Sequence, residues 1–143
     1  MPLKKHYISP QQLLEDSFRL GWQVFSSGYR PTFIIAIWRG GTPVGAALHD
    51  LLEVLGVSAD HFAIRTASYT GIGQRGPTVR VDGLEYLIER VGREDRVLLV
   101  DDVHDSGLSL QQVAVELRSA CGDRTPELRV ATPYYKPGNN QTG

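Results

Sequence analysis

Residues 97–110, VLLVDDVHDSGLSL, constrain this chain more than any other stretch. Val97 to Val100 form an apolar run with β-branched ends that leads straight into Asp101 and Asp102. Such a run reads as a strand buried on both faces, the kind found inside a parallel sheet. A short loop from Val103 to Ser109 follows, with a further acid, two hydroxyls and a glycine, before helical spacing begins. Ligands on open α/β sheets collect at the carboxyl ends of strands, which is where this polar cluster falls. A doubly buried strand needs parallel neighbours and covering helices, so the rest of the chain should alternate strand with helix.

The alternation is present. Ser9-Pro10-Gln11-Gln12 starts a helix, with Ser9 as N-cap, Pro10 in the first turn and Gln12 completing a capping box. Leu13, Leu14, Phe18, Trp22 and Phe25 then recur at helical spacing, giving a covering helix with Trp22 in the core, ended by Ser26, Ser27 and Gly28. Phe33 to Trp38 is a second buried strand. It stops at Arg39-Gly40-Gly41, and Pro43 opens a helix carrying Val44, Ala47, Leu48, Leu51, Leu52 and Leu55. Two glycines between strand and helix free the backbone for unusual φ/ψ, and the helix start offers N–H groups to an anion. A plain tight turn also fits that spacing; Arg39 beside it favours a phosphate.

His61 to Ala67 is a third strand. Residues 71–76 match G-x-G-x-x-G, but the dinucleotide fingerprint must open a helix, and Pro77 to Val81 continue as strand. A flexible loop between two antiparallel strands describes the segment better. Gly83 to Val91 holds a short helix. After the acidic loop, Leu110, Val113, Ala114, Leu117 and Cys121 make another helix, closed near Gly122. Leu128 to Ala131 is the next strand and leads to Thr132-Pro133-Tyr134-Tyr135-Lys136-Pro137. The expected fold is α/β: a mostly parallel twisted sheet, doubly wound, with helices on both faces.

At 143 residues the chain is one domain's worth, and its 41% hydrophobic content suits a packed core. A formal net charge of −1 gives no reason to expect nucleic acid or an anionic membrane as partner. Cys121 is the single cysteine and cannot form an internal disulfide. With no apolar run of spanning length and no signal-peptide core in MPLKKHYISP, a cytoplasmic location is expected.

Carboxylates at a strand end accept hydrogen bonds from a vicinal diol and hold Mg²⁺, usually through its waters. Asp105-Ser106-Gly107-Leu108-Ser109 then wraps into a helix N-terminus, where consecutive N–H groups form an anion nest and Gly107 permits the turn. Diol binders next to a phosphate nest describe a ribose 5-phosphate pocket. A solvated acidic loop in which Asp105 or Ser106 merely caps the helix needs only one such residue, and here there are several.

VLLVDDVHDSGLSL resembles the signature by which type I phosphoribosyltransferases bind phosphoribosyl pyrophosphate (PRPP). Ser106 stands where many members carry threonine, and His104 where many are apolar; His104 is read as exposed or as an extra ribose or product contact. The chain is most similar to the bacterial and archaeal hypoxanthine and xanthine-guanine phosphoribosyltransferases. IIAIWRGGTPVGAAL resembles their pyrophosphate loop, ASYTGIGQRG their flexible catalytic loop, and VATPYYKP the strand whose lysine meets the purine.

The resemblance implies a single phosphoribosyltransferase domain over residues 1–143, in which PRPP and Mg²⁺ serve transfer to a 6-oxopurine in purine salvage. Asp101 and Asp102 would bind the ribose hydroxyls, directly or through the metal. Asp105, Ser106, Gly107, Leu108 and Ser109 would hold the 5-phosphate, with Asp105 also the general acid/base near the purine N7. Arg39 and Gly40 would cradle pyrophosphate, with a strained or cis Trp38–Arg39 peptide. Ser68 and Tyr69 would close over the reacting centre, and Lys136 would donate to the purine O6. Related enzymes imply a homodimer or homotetramer. Family members continue after this lysine with an Asp-Tyr stretch and an aromatic that stacks on the base. Here Gly143 ends the sequence, so either the chain is truncated or the base pocket is finished differently, by a neighbouring subunit for example. Two other readings stay open: a PRPP-sensing regulator without chemistry, and a phosphoribosyltransferase for another base.

Overall fold

A computed structural model describes residues 8–69, 78–104 and 107–135, and only the backbone of residues 68, 69, 104 and 135. Helix α1 (Pro10–Ser26) precedes strand β1 (Phe33–Trp38), helix α2 (Gly41–Val54), strand β2 (Asp60–Tyr69) and strand β3 (Thr78–Asp82). Helix α3 (Glu85–Arg90), strand β4 (Arg96–Val100), strand β5 (Val103–His104) and helix α4 (Leu108–Cys121) follow. A short 3₁₀ turn (Gly122–Arg124), strand β6 (Glu127–Ala131) and strand β7 (Tyr134–Tyr135) complete the order. The main sheet runs β3-β2-β1-β4-β6, with β5 and β7 forming a separate pair. Every main-sheet pairing is parallel except β2 with β3. The expected α/β fold and its antiparallel strand pair are therefore present; residues 70–77 of the loop between them lie outside the described residues.

Period-two alternation divides the strands between two cores. Phe33, Ile35 and Ile37 of β1 and Val97 and Leu99 of β4 point to one face, where Leu87 of α3 and Val113 and Leu117 of α4 cover them. Ile34 of β1 and Leu98 and Val100 of β4 point to the other, under Val44, Leu48 and Leu52 of α2. Both strands are thus buried on both faces, which is why their sequences are apolar without alternation. Burying each such side chain stabilises the fold by about 1.5–3 kcal/mol.

Helix α1 begins as its cap residues dictate: Ser9 Oγ accepts from the Gln12 N–H at 3.0 Å, with Pro10 as the first helical residue. The reciprocal half of the capping box does not form, because the Gln12 side-chain amide donates forward to Asp16 at 2.9 Å. The buried face also differs from the expected one. Leu13, Leu20, Val24 and Phe25 pack on the core, while Leu14, Phe18 and Trp22 are exposed, Trp22 at 54%. The reason is close helix packing. Gly21 sits against α2, where an added Cβ would lie 3.0 Å from Leu51 and 3.6 Å from the Leu48 backbone. Ser17 is buried beside it, its hydroxyl donating to the Leu13 carbonyl at 2.7 Å. Small residues bring the helices together, and Phe18 and Trp22 are left on the outside. Leu99→Ala should therefore cost about 2–5 kcal/mol in urea unfolding, whereas Trp22→Ser should cost under about 1 kcal/mol.

Candidate active site

The carboxyl ends of β1 and β4 are neighbours, because the two strands run parallel with Ala36 opposite Val100. Beyond that pair one chain continues into Arg39-Gly40-Gly41 and the other into Asp101-Asp102. The Trp38–Arg39 peptide is cis, as the resemblance implied. Thr42 closes the turn, its hydroxyl donating to the Arg39 carbonyl at 2.6 Å. Arg39 itself is exposed at the mouth.

The glycine pair is needed for a different reason from the one expected. Gly40 has φ −63° and ψ −33°, ordinary right-handed values, and Gly41 is not among the positive-φ glycines either. What both require is space. A Cβ on Gly40 would lie 2.6 Å from a carboxylate oxygen of Asp102, and one on Gly41 would collide with the Val100 carbonyl oxygen. The turn therefore passes directly over the end of β4. Gly107, in contrast, does need conformational freedom: at φ +78° it is the N-cap of α4, a left-handed residue with no side chain to cap the helix. Gly40 is likewise the N-cap of α2, with no side-chain cap. Two helix N-termini, each headed by a glycine, thus rise beside the acidic pair.

Asp101 is half-buried, and its carboxylate accepts a hydrogen bond from the Asp102 N–H at 2.9 Å. Its own N–H donates to the Ala131 carbonyl at 3.2 Å, tying the end of β4 to the end of β6. Burial above all, reinforced by the neighbouring Asp102 carboxyl, pushes Asp101 up to about 7. Among the described residues neither carboxylate takes part in an ion pair. Two adjacent carboxylates without an ion-pair partner among the described residues offer hard oxygen donors that suit Mg²⁺, which binds through one or two carboxylates while keeping water and substrate oxygens. Below the pair lies a recess of about 80 Å³ bounded by Ile37, Val103, Gly107, Ser109 and Thr132. The other compact donor cluster among the described residues, His49, Asp50 and Glu53, sits away from this mouth. His49 rests its ring on His61, at the start of β2, with centroids 4.0 Å apart.

The structure thus brings together Arg39, Gly40, Asp101, Asp102, Gly107, Leu108 and Ser109. Ser68 and Tyr69 close β2, with their backbones opposite Val79 and Thr78 of β3; their side chains lie outside the description. Asp105, Ser106 and Lys136 lie outside the described residues. His104 has only its backbone described, paired with Tyr135. The sequence reading had no place for that pairing. Its parallel strands β5 and β7 link the residues just after the acidic pair to those just before Lys136, and elements of two residues carry no periodicity to detect.

A family model described as the phosphoribosyl transferase domain matches residues 8–141. The chain belongs to the phosphoribosyl transferase domain family. No curated protein sequence matches it. Solved structures share the fold: a hypothetical protein from Neisseria gonorrhoeae with bound ppGpp has a TM-score of 0.70 at 23% identity, over 98% of this chain and 81% of that one. A purine phosphoribosyltransferase from Pyrococcus horikoshii Ot3 gives 0.65 at 22% identity, over 94% and 87%. A hypoxanthine phosphoribosyltransferase from Staphylococcus aureus gives 0.66 at 18%, over 99% and 72%. The fold is therefore that of the type I phosphoribosyltransferases, with purine enzymes among its structural relatives.

For this phosphoribosyltransferase, two expected outcomes follow from the site's packing and charge. Gly41→Ala, which meets rigid backbone, should lose about 1–3 kcal/mol in urea unfolding, and Gly40→Ala, which meets a movable carboxylate, should lose less. Asp101 binds its proton more tightly folded than unfolded, so its contribution is fully present below about 4 and is lost as pH rises through about 7. Asp101→Asn should consequently stabilise the metal-free protein by on the order of 1–2 kcal/mol at pH 8 and by less at pH 5. Equal effects at both pH values would contradict the burial argument.

Proposed function

We propose that the protein transfers the 5-phosphoribosyl group of PRPP to a 6-oxopurine, yielding the nucleoside monophosphate and pyrophosphate. The observation that carries this reading is the pair of glycine-headed helix N-termini flanking two carboxylates. Helix N-termini attract anions and carboxylates accept from hydroxyls, so the order along the site is anion, diol, anion. PRPP has that order: a diphosphate, a ribose diol and a 5-phosphate.

In this reading Asp101 and Asp102 accept hydrogen bonds from the ribose hydroxyls and orient the sugar. The α4 N-terminus, with Ser106, Gly107, Leu108 and Ser109, holds the 5-phosphate, and Arg39 and Gly40 hold the diphosphate. A ring nitrogen of the purine attacks C1 of the ribose as the C1–O bond to pyrophosphate breaks. Positive charge grows on the ribose and negative charge on the leaving group, so fixed charges and dipoles do most of the work. Asp101 and Asp102 would hold Mg²⁺, which would supply positive charge against the charge of the departing pyrophosphate. Ser68 and Tyr69 cover the centre and exclude water, which would otherwise hydrolyse the ribosyl cation. Asp105 exchanges a proton with the purine N7. Lys136 offers only donors, which favours an oxo over an amino substituent at C6.

The test is pyrophosphate release with PRPP, Mg²⁺ and a panel of bases. Hypoxanthine, guanine or xanthine should be consumed, and adenine and pyrimidines should not. Asp105→Asn should cut turnover by about a hundredfold or more, with the KM for PRPP within roughly threefold of wild type. PRPP binding with no base consumed would overturn the enzyme reading in favour of a PRPP sensor.

A further inference from the structure

Strand β7 ends immediately before Lys136 and lies outside the main sheet, paired only with the two-residue β5 among the described strands. An isolated two-stranded pair of this size is marginal in water, so its placement needs other support. That support comes from the far end of the sequence. The Tyr134 hydroxyl donates to Asp16 Oδ2 of α1 at 2.7 Å, across 118 residues of sequence.

The Asp16 carboxylate is built to receive it. Its other oxygen, Oδ1, accepts from the Gln12 amide at 2.9 Å and from Arg19 at 3.0 Å. Three donors thus hold one side chain, two of them from α1 itself and the third from Tyr134. The Tyr134 carbonyl in turn accepts from the Thr132 hydroxyl at 2.9 Å, folding 132–134 into a compact turn. Helix α1 is anchored on the core through Leu13, Leu20 and Val24, so Asp16 stands on a rigid base. The Tyr134 hydrogen bond, with those from Gln12 and Arg19, draws Asp16 below its ordinary value, and burial plus the Asp16 carboxylate pushes Tyr134 up to about 12. Near neutral pH the pair is thus a carboxylate accepting from a neutral phenol, the forms in which the hydrogen bond is made.

We propose that Asp16 and Tyr134 are positioning residues for the base side of the site: their hydrogen bond fastens the segment before Lys136 to α1 and so sets the affinity for the purine. This rests on the base-binding role of Lys136 proposed above. Two residues of chain span at most about 7 Å, so freedom at Tyr134 passes directly to Lys136. PRPP, held by the ends of β1 and β4 and the start of α4, meets the latch only through the two-residue β5, and so depends on it less than the purine does.

The experiment compares kinetics of the full-length wild type with those of Tyr134→Phe, Asp16→Ala, Asp16→Asn and the Tyr134→Phe/Asp16→Ala pair. Tyr134→Phe and Asp16→Ala should each raise the KM for the purine about tenfold, the value of one charge-assisted hydrogen bond, with the KM for PRPP within about twofold. Asp16→Asn keeps an acceptor oxygen and should recover part of the loss. The double variant should be no worse than either single one, because both remove the same bond. Hydrogen exchange at the amides of Tyr134 and Tyr135 should accelerate in the three single variants in the same order. Unchanged purine KM, equal rises in both KM values, or additive effects in the double variant would overturn the latch while leaving the enzyme reading intact. A wild type that consumes no base overturns the base-binding reading itself, whatever the variants do.

Discussion

The rest of the structure depends on the approach of the Gly40-Gly41 turn to the end of β4. A Cβ at either position would meet the Asp102 carboxylate or the Val100 carbonyl, so backbone passes where no side chain could. That passage joins the turn after β1 to the acids after β4 and starts α2 beside them. It is possible because the two strands are hydrogen-bonded neighbours running the same way. A parallel pair puts both carboxyl ends at one edge of the sheet, and Arg39, Gly40, Asp101 and Asp102 of the candidate site are gathered there.

Holding those strands in register is the work of two apolar layers rather than of the site. Residues alternate between them along β1 and β4, so a slip by one position would exchange the layers. One position shows how close the fit is. Gly45 of α2 lies over Ala36 of β1, where a Cβ would come within 2.9 Å of the alanine methyl. Small residues on both sides let the helix settle low on the sheet, which fixes the height of its N-terminus relative to the strand tips.

Much of this was legible in sequence because the decisive signals were local. Aliphatic runs without alternation mark doubly buried strands, and 33–38 appeared with the expected bounds. Carboxylates and glycines directly after such runs mark the sheet edge where the candidate site is assembled. What failed was whatever depended on a partner. The apolar stripe of α1 was misjudged because large side chains were weighted over Ser17 and Gly21, whose smallness is the signal for close helix contact. The reason for Gly40 and Gly41 was misjudged because glycine serves both for freedom of φ and for absence of bulk, and sequence does not distinguish the two. The tie between Asp16 and Tyr134 joins residues too far apart in the chain for any local pattern to record it.

Helices α2 and α4 cover opposite faces of the sheet, one over Ile34, Leu98 and Val100, the other over Phe33, Ile35 and Leu99. Their N-termini therefore approach the same sheet edge from opposite sides, as two jaws that are not joined to each other. In the proposed reading a molecule with an anion at each end would engage both at once, and the second contact would gain from the first as in any chelate. Two separate anions gain nothing of the kind. A bond between the ends of such a molecule would thus itself be a source of affinity, and breaking that bond would loosen both fragments without requiring any movement of the protein.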